Sequence, residues 1–250
     1  MTIDFPKDEQ IPGLRILWKE AFGDTEQFLE SFFSTGFSKD RCRCICENGQ
    51  PVTALYWFDC GWGNKRLAYL YAVATAKSHR GQGLCHRIMD DTRALLQLQG
   101  YDGLVLVPAE PSLFPFYEKM GYCCFGGIRQ WNAAAGEPVK LKELDHSQYA
   151  LLRTRYLPEN SVIQDGELLR FLGSYARFYQ GEDFLVCCAE DDGKLMAYEL
   201  LGNTAAASGI LAALRLETGT FRTPGDAPFA MYYSLTKDMA SPCYLAFALD

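Results

Sequence analysis

The chain has 250 residues, 48% hydrophobic and 22% charged, which is apolar content enough for one or two cores and too much for wholesale disorder. Lys plus Arg number 24 and Asp plus Glu 31, so 24 − 31 = −7, a balance that gives no global electrostatic reason to seek nucleic acid or anionic lipid. The apolar run Leu67 to Ala74 is far short of the roughly 20 residues of a membrane-spanning helix, and MTIDFPKDEQ lacks the basic start and apolar stretch of a secretory signal, so the expected compartment is the cytosol.

In chain order, Ile11–Phe22 and Thr25–Phe37 carry apolar residues at helical spacing, with Gly23-Asp24 between them and Thr25 as a cap. Arg41–Glu47 and Pro51–Phe58 read as a hairpin around Asn48-Gly49. Cys42, Cys44 and Cys46 alternate there and share one strand face. The ten cysteines include no CxxC, and three histidines are too few for a common zinc pattern, so buried reduced thiols are expected and no metal. Leu67–Ala74 is an aromatic, apolar strand. Leu84–Gln99 is an amphipathic helix with Leu84, Cys85, Ile88, Met89, Thr92, Leu95 and Leu96 on one face, closed by Gly100. Leu104–Val107 reads as a short strand, Ser112–Met120 as a short helix and Tyr122–Trp131 as a strand or hairpin.

Asn132–Pro138 is the expected linker. Beyond it the opening order recurs: helices Tyr149–Tyr156 and Glu167–Tyr179, then strands Asp183–Glu190 and Lys194–Leu201 around Asp192-Gly193. The repeat aligns Gly193 with Gly49. A helix over Thr204–Leu216 and strands over Thr218–Arg222, Phe229–Thr236 and Cys243–Leu249 complete the reading.

The stretch Leu67 to Tyr122 carries chemistry. A strand runs into SHRGQGLC, which runs directly into the amphipathic helix. Gly81 and Gly83 let main chain approach a ligand, and the first N–H groups of a helix lack intrahelical partners. Together these form a cradle for phosphate or diphosphate. Residues 60–89 contain no Asp or Glu but hold Lys65, Arg66, Lys77, Arg80 and Arg87, a locally positive window in an acidic chain. The NTPase loop is excluded because Leu84-Cys85 follows Gly83 where Lys-Ser or Lys-Thr is needed. The dinucleotide fingerprint is excluded because His86 stands where its third glycine belongs.

Strand, Arg80-x-x-Gly83-x-Cys85, helix, strand and then Phe116-Tyr117-Glu118-Lys119-Met120-Gly121-Tyr122 resembles the GNAT superfamily of N-acyltransferases. The likeness covers element order over the first 130 residues and motif detail over about 55; Cys85 replaces the usual Gly or Ala, and Glu110 stands where many relatives have Asn. The repeated second half resembles tandem GNAT proteins, with its glycine loop lost. The resemblance implies an α+β fold of two GNAT-like domains, 1–132 catalytic and 139–250 degenerate and truncated, each a mixed, mostly antiparallel sheet flanked by helices. It implies acetyl-CoA as co-substrate, with the diphosphate on Arg80, Gly81, Gln82, Gly83, Leu84 and Cys85, and the thioester along the main chain of Tyr71 and Val73. It implies direct transfer to an amine, on a small molecule or a protein amino terminus, with Tyr117 protonating the departing sulfur. For Glu110 three roles stay open: general base, ammonium anchor or solvated loop acid. Asp250 is a further candidate base. Trp57, Phe58, Trp62 and Tyr69 either line an acceptor pocket or fill the core, and His79 and His86 either assist the phosphates or sit at the surface. The alternative to an enzyme is a non-catalytic CoA-binding sensor or scaffold. Homo-oligomerisation is left open.

Overall fold

A computed structural model of the protein describes residues 1–236 and 240–249. Two compact units are each assembled from non-consecutive segments: unit 1 from Met1–Leu106, Pro115–Cys123 and Tyr232–Ala240, unit 2 from Val107–Phe114, Cys124–Met231 and Ser241–Asp250. The fold is α+β, with mostly antiparallel strands flanked by helices. Among the described residues no helix is long and apolar enough to cross a membrane.

Unit 1 opens with β1 (Ile3–Asp4), α1 (Ile11–Phe22) and α2 (Glu26–Thr35). Thr25 caps α2: its Oγ1 accepts the Phe28 N–H at 3.2 Å, a contact worth about 1 kcal/mol. Then follow β2 (Cys42–Glu47), β3 (Gln50–Trp62), β4 (Lys65–Thr75), α3 (Leu84–Leu98) and β5 (Gly103–Leu106). Strands β1 to β4 pair antiparallel in chain order. β5 joins β4 in parallel, after the crossover through α3 that a parallel pair requires. The apolar faces predicted for the helices are the buried ones. The rings of Trp18 of α1 and Phe32 of α2 pack tilted, 4.5 Å apart, and meet Tyr56 and Tyr71 of the sheet. Each fully buried aromatic side chain contributes about 1.5–3 kcal/mol. Trp57, Phe58, Trp62 and Tyr69 are buried as well, so the sheet aromatics fill core.

In unit 2, β6 (Cys123–Ala134) is followed by β7 (Lys142–Leu144), α5 (His146–Arg153), α6 (Gly166–Leu172), β8 (Arg177–Gln180), β9 (Phe184–Asp191), β10 (Lys194–Gly202), α7 (Ala207–Leu214) and β11 (Thr218–Pro224). A short helix α4 (Phe114–Glu118) precedes β6, and β12 (Ala227–Ser234) ends the strand series. Strands β7, β8, β9 and β10 pair antiparallel in order, β11 joins β10 in parallel, and β6 pairs antiparallel with β11. Phe184, Val186, Leu195, Leu200, Ile210 and Phe221 form its core.

The structure corrects four sequence expectations. The linker at 132–138 lies inside unit 2, and Asn132 to Ala134 continue β6 by pairing with β11; an Ala-rich polar stretch carries no breaker until Gly136. The helix expected over Glu167–Tyr179 stops at Leu172, and Arg177–Gln180 becomes β8, because pairing to β7 and β9 outweighs local periodicity. Cys243–Leu249 is not a strand. Its main chain is held by Gln164, which accepts the N–H of Ala246 and Phe247 and donates to Phe247 O, and by main-chain bonds from Cys243 N–H to Asn160 O and from Val162 N–H to Tyr244 O. The alignment of Gly193 with Gly49 does not match the order of elements. Three antiparallel strands, a helix and a strand parallel to the third appear as β2-β3-β4-α3-β5 and again as β8-β9-β10-α7-β11. The hairpin turning at Gly193 therefore matches β3–β4, which turns at Gly63, and not the one at Gly49. Tight hairpins share the same turn residues, so turn chemistry cannot tell one hairpin from the next.

Candidate functional site

Strand β4 is irregular where the site begins. Its register with β3 runs Thr53↔Thr75 and Ala54↔Ala74, then Tyr56↔Tyr71. Ala72 and Val73 thus stand opposite Leu55 alone, a β-bulge. Ala72 adopts a left-handed φ of 48°, unusual for alanine. On the other side, the parallel register with β5 reaches Tyr69↔Val105, while β4 runs on to Thr75. Tyr71 packs into the aromatic core, and Val73 is half-buried.

Past β4, a 3-10 turn at Lys77–His79 leads to the glycine loop. Arg80 Nε donates to Thr75 O at 3.2 Å, which folds this side chain back on the strand end. Gly81 and Gly83 have φ of 75° and 73°, and Gly83 is the N-cap of α3. A Cβ at either would meet nothing within 4 Å, so the glycines serve backbone conformation and leave one side of the loop open. The first intrahelical bond of α3 is Arg87 N–H to Gly83 O at 3.1 Å. Among the described residues no acceptor takes the N–H of Gln82, Gly83, Leu84, Cys85 or His86. These donors and the helix dipole fit an anion.

The charge expectation needs correction. Residues 60–89 lack acids in sequence, but the fold brings two in: Glu20 accepts the Lys77 N–H at 2.7 Å, and Glu47 sits 2.9 Å from His79 Nε2. Arg87 donates to Met1 O at 3.4 Å. An anion at this loop would therefore meet main-chain amides more than cationic side chains.

Tyr117, on α4, is 8% exposed, with its ring against Phe116 and Tyr122 at 5.3 and 5.8 Å. Burial pushes its phenol above the ordinary range, and neighbouring Cys85 adds to the shift. Cys85, in the first turn of α3, has its thiol pushed up to about 11 by burial. Tyr117 is thus beside the glycine loop, and among the described residues its hydroxyl has no hydrogen-bond partner. A phenol so placed stays protonated and can donate. A sulfur leaving group would be desolvated in the same place, which raises a thiolate's proton affinity too and keeps the transfer feasible.

Tyr71, Val73, Arg80 to Cys85 and Tyr117 all belong to unit 1. Glu110 belongs to unit 2. It is exposed at the head of the 3-10 turn Pro111–Leu113, where the Ser112 hydroxyl donates to its carboxylate. Asp250 lies outside the described residues. His86 packs its ring on Phe116 at 5.4 Å. Two features escaped the sequence. The bulge at Ala72 has no Gly or Pro to announce it, and the Glu47–His79 contact joins residues 32 positions apart.

Residues 2–125 match the acetyltransferase (GNAT) domain family. Among curated proteins, none matches the sequence significantly. The fold resembles that of a GCN5-related N-acetyltransferase from Kribbella flavida, at TM-score 0.69 and 17% identity over 94% of this chain and 72% of that one. A GCN5-related N-acetyltransferase from Anabaena variabilis gives 0.69 and 15%, over 94% and 73%. Eis1 from Mycobacterium abscessus gives 0.65 and 12%, over 94% and 74%. At these identities the likeness is one of fold. Residues 2–125, just under half of the chain, are thus similar to a GNAT acetyltransferase domain.

Proposed function

We propose that this protein moves an acetyl group from acetyl-CoA to an amine by direct attack, with no covalent enzyme intermediate and no metal. The observation that carries the reading is the run of unengaged amides from Gln82 to His86, on the open side of a two-glycine turn beside Tyr117, a buried residue whose hydroxyl has no hydrogen-bond partner among the described residues.

In this reading the amides of the Arg80–Cys85 loop take the CoA diphosphate. The pantetheine arm runs along the bulged part of β4, and main chain at Tyr71 and Val73 faces the thioester. An N–H aimed at the developing oxyanion is worth about 3 kcal/mol. The amine nitrogen bonds to the acyl carbon, the C–S bond breaks, and the sulfur takes a proton from Tyr117. Glu110 is the proposed base, or an anchor for the incoming ammonium. The acidic chain favours a cationic acceptor, on a small molecule or at a protein amino terminus. The second half, 139–250, is read as a degenerate GNAT-like copy. Its β8-β9-β10-α7-β11 order supports this, as does a bulge at Tyr198 between Ala197 and Glu199 on β10, the strand that corresponds to β4.

The test is a thermal melt of the full chain with CoA and with acetyl-CoA, followed by thiol release over a panel of amines. A rise in Tm with both ligands and amine-dependent thiol release are expected. No shift with either ligand would remove the CoA site, and a shift without turnover on any amine would leave a CoA-binding sensor.

A further inference from the structure

Three side chains form a hydrogen-bond chain just ahead of the glycine loop. His79 Nε2 lies 2.9 Å from Glu47 Oε2, and His79 Nδ1 lies 2.8 Å from Ser78 Oγ. Glu47 ends β2, and Ser78 and His79 belong to the turn that delivers Arg80 and Gly81. Ser78 is tied onward, since its carbonyl accepts from Gln82 Nε2 at 3.4 Å. His79 is mostly covered, with 18% of its side chain exposed, and Ser78 is exposed.

The donor inventory decides the direction of each bond. An ionised carboxylate only accepts, so Nε2 carries the hydrogen given to Glu47. In a neutral imidazole the other nitrogen is then bare, and Nδ1 accepts the Ser78 hydroxyl hydrogen. Ser78 in that state offers an anion nothing but lone pairs. One proton added at Nδ1 reverses the bond. Nδ1–H donates to Oγ, the hydroxyl hydrogen is released for another acceptor, and the Glu47–His79 pair passes from net −1 to neutral. Both changes favour a phosphate next to the loop.

We infer that Glu47, His79 and Ser78 form a positioning relay for the phosphate-bearing co-substrate: diphosphate binding at the glycine loop takes one proton from solvent onto His79 and recruits the Ser78 hydroxyl as an added donor. The inference rests on the reading of that loop as a CoA site. The other charged groups here are Lys77 and Arg80 on the same turn and Glu20 of α1, which accepts the Lys77 N–H. Arg80 Nε donates to Thr75 O, and among the described residues His79 bonds to no second carboxylate.

Calorimetric titration of the full chain with 3′-dephospho-CoA from pH 6 to 8, in two buffers of different ionisation enthalpy, tests it. That ligand lacks the 3′-phosphate, which would itself titrate in this range. Wild type should take up a proton on binding and bind roughly tenfold tighter at pH 6 than at pH 8, as one added hydrogen bond to a charged group implies. His79→Gln should abolish both the uptake and the pH slope. Ser78→Ala should keep the fold and lose most of the tightening at low pH. S-acetylpantetheine, which has no phosphate, should bind wild type and His79→Gln equally. Binding by wild type without proton uptake, or an unchanged slope in His79→Gln, would overturn the relay. So would equal weakening of both ligands in His79→Gln, since a merely structural histidine would act on both. Failure of wild type to bind dephospho-CoA at all would overturn the loop reading itself and take the relay with it.

Discussion

A single hydroxyl separates a binding site from a catalytic one. Tyr117 is buried, its phenol lies above the ordinary range, and its oxygen has no protein partner among the described residues. A hydroxyl with no structural bond can be removed at little structural cost. Tyr117→Phe is therefore expected to lower kcat by about 10²-fold, the lower end for loss of a general acid, while Kd for CoA stays within twofold. Steady-state kinetics beside a direct binding titration will separate the two. An unchanged kcat would reject the acid role. The sequence offered 14 tyrosines, and the motif around Tyr117, not its residue type, singled it out. What the motif could not show was that Cys85 comes close enough to shift its titration.

At the scale of elements, the bulge in β4 redirects the strand after Tyr71. It holds Ala72 at φ 48°, where a Cβ costs roughly 1–2 kcal/mol. Glycine removes that strain but adds freedom to the unfolded chain. Ala72→Gly should gain a net stability of about 0.5–1 kcal/mol, read as a higher urea midpoint. Ala72→Val should lose more than that, because a β-branched side chain tolerates positive φ poorly. If the glycine variant is less stable than wild type, backbone strain is not what the bulge stores. No residue in Tyr71–Thr75 signals a bulge, since it arises from pairing with β3. The helix after it is different: α3 was legible to within a residue from its apolar spacing and the glycine at each end.

For the whole molecule, stability depends on buried polar groups as well as on apolar cores. In unit 2, Glu199 is fully buried and receives Arg153 Nε and Nη2 at 2.7 and 3.0 Å, with the hydroxyls of Tyr149 and Tyr244 at 2.8 and 3.2 Å. Arg153→Met strands that carboxylate and should cost about 3–5 kcal/mol, whereas the pair Arg153→Met with Glu199→Leu should recover much of it. Thermal melts of both variants check this; a double variant no more stable than the single would show that the pair itself stabilises the fold. Alkaline pH probes the same burial more widely. Tyr56, Tyr117, Tyr122, Tyr149 and Tyr244 all have phenols raised by burial. A raised acid keeps its proton in the folded state after the unfolded chain has lost it. Stability from these groups is complete below the unfolded value and falls as pH rises above about 10. The buried thiols of Cys42, Cys44, Cys85, Cys187 and Cys188 are raised in the same way and begin to act above about 8.5, so Tm should be flat only up to about pH 8, fall beyond it and drop steeply by about pH 11. A flat profile throughout would mean that the phenols are solvated.

The sequence alone determined the class of fold, the glycine loop at the head of an amphipathic helix, and the tyrosine motif that follows, because each is written in neighbouring residues through spacing, turn chemistry and capping. Tertiary structure decided the rest: the bulge at Ala72, the acids Glu20 and Glu47 at a loop that looked purely basic, the order in which the hairpins at Gly49, Gly63 and Gly193 are joined, and β8 in place of a longer helix. These depend on pairing and contact between residues far apart in the chain, and hydrogen bonds to distant partners leave no period in the sequence that carries them.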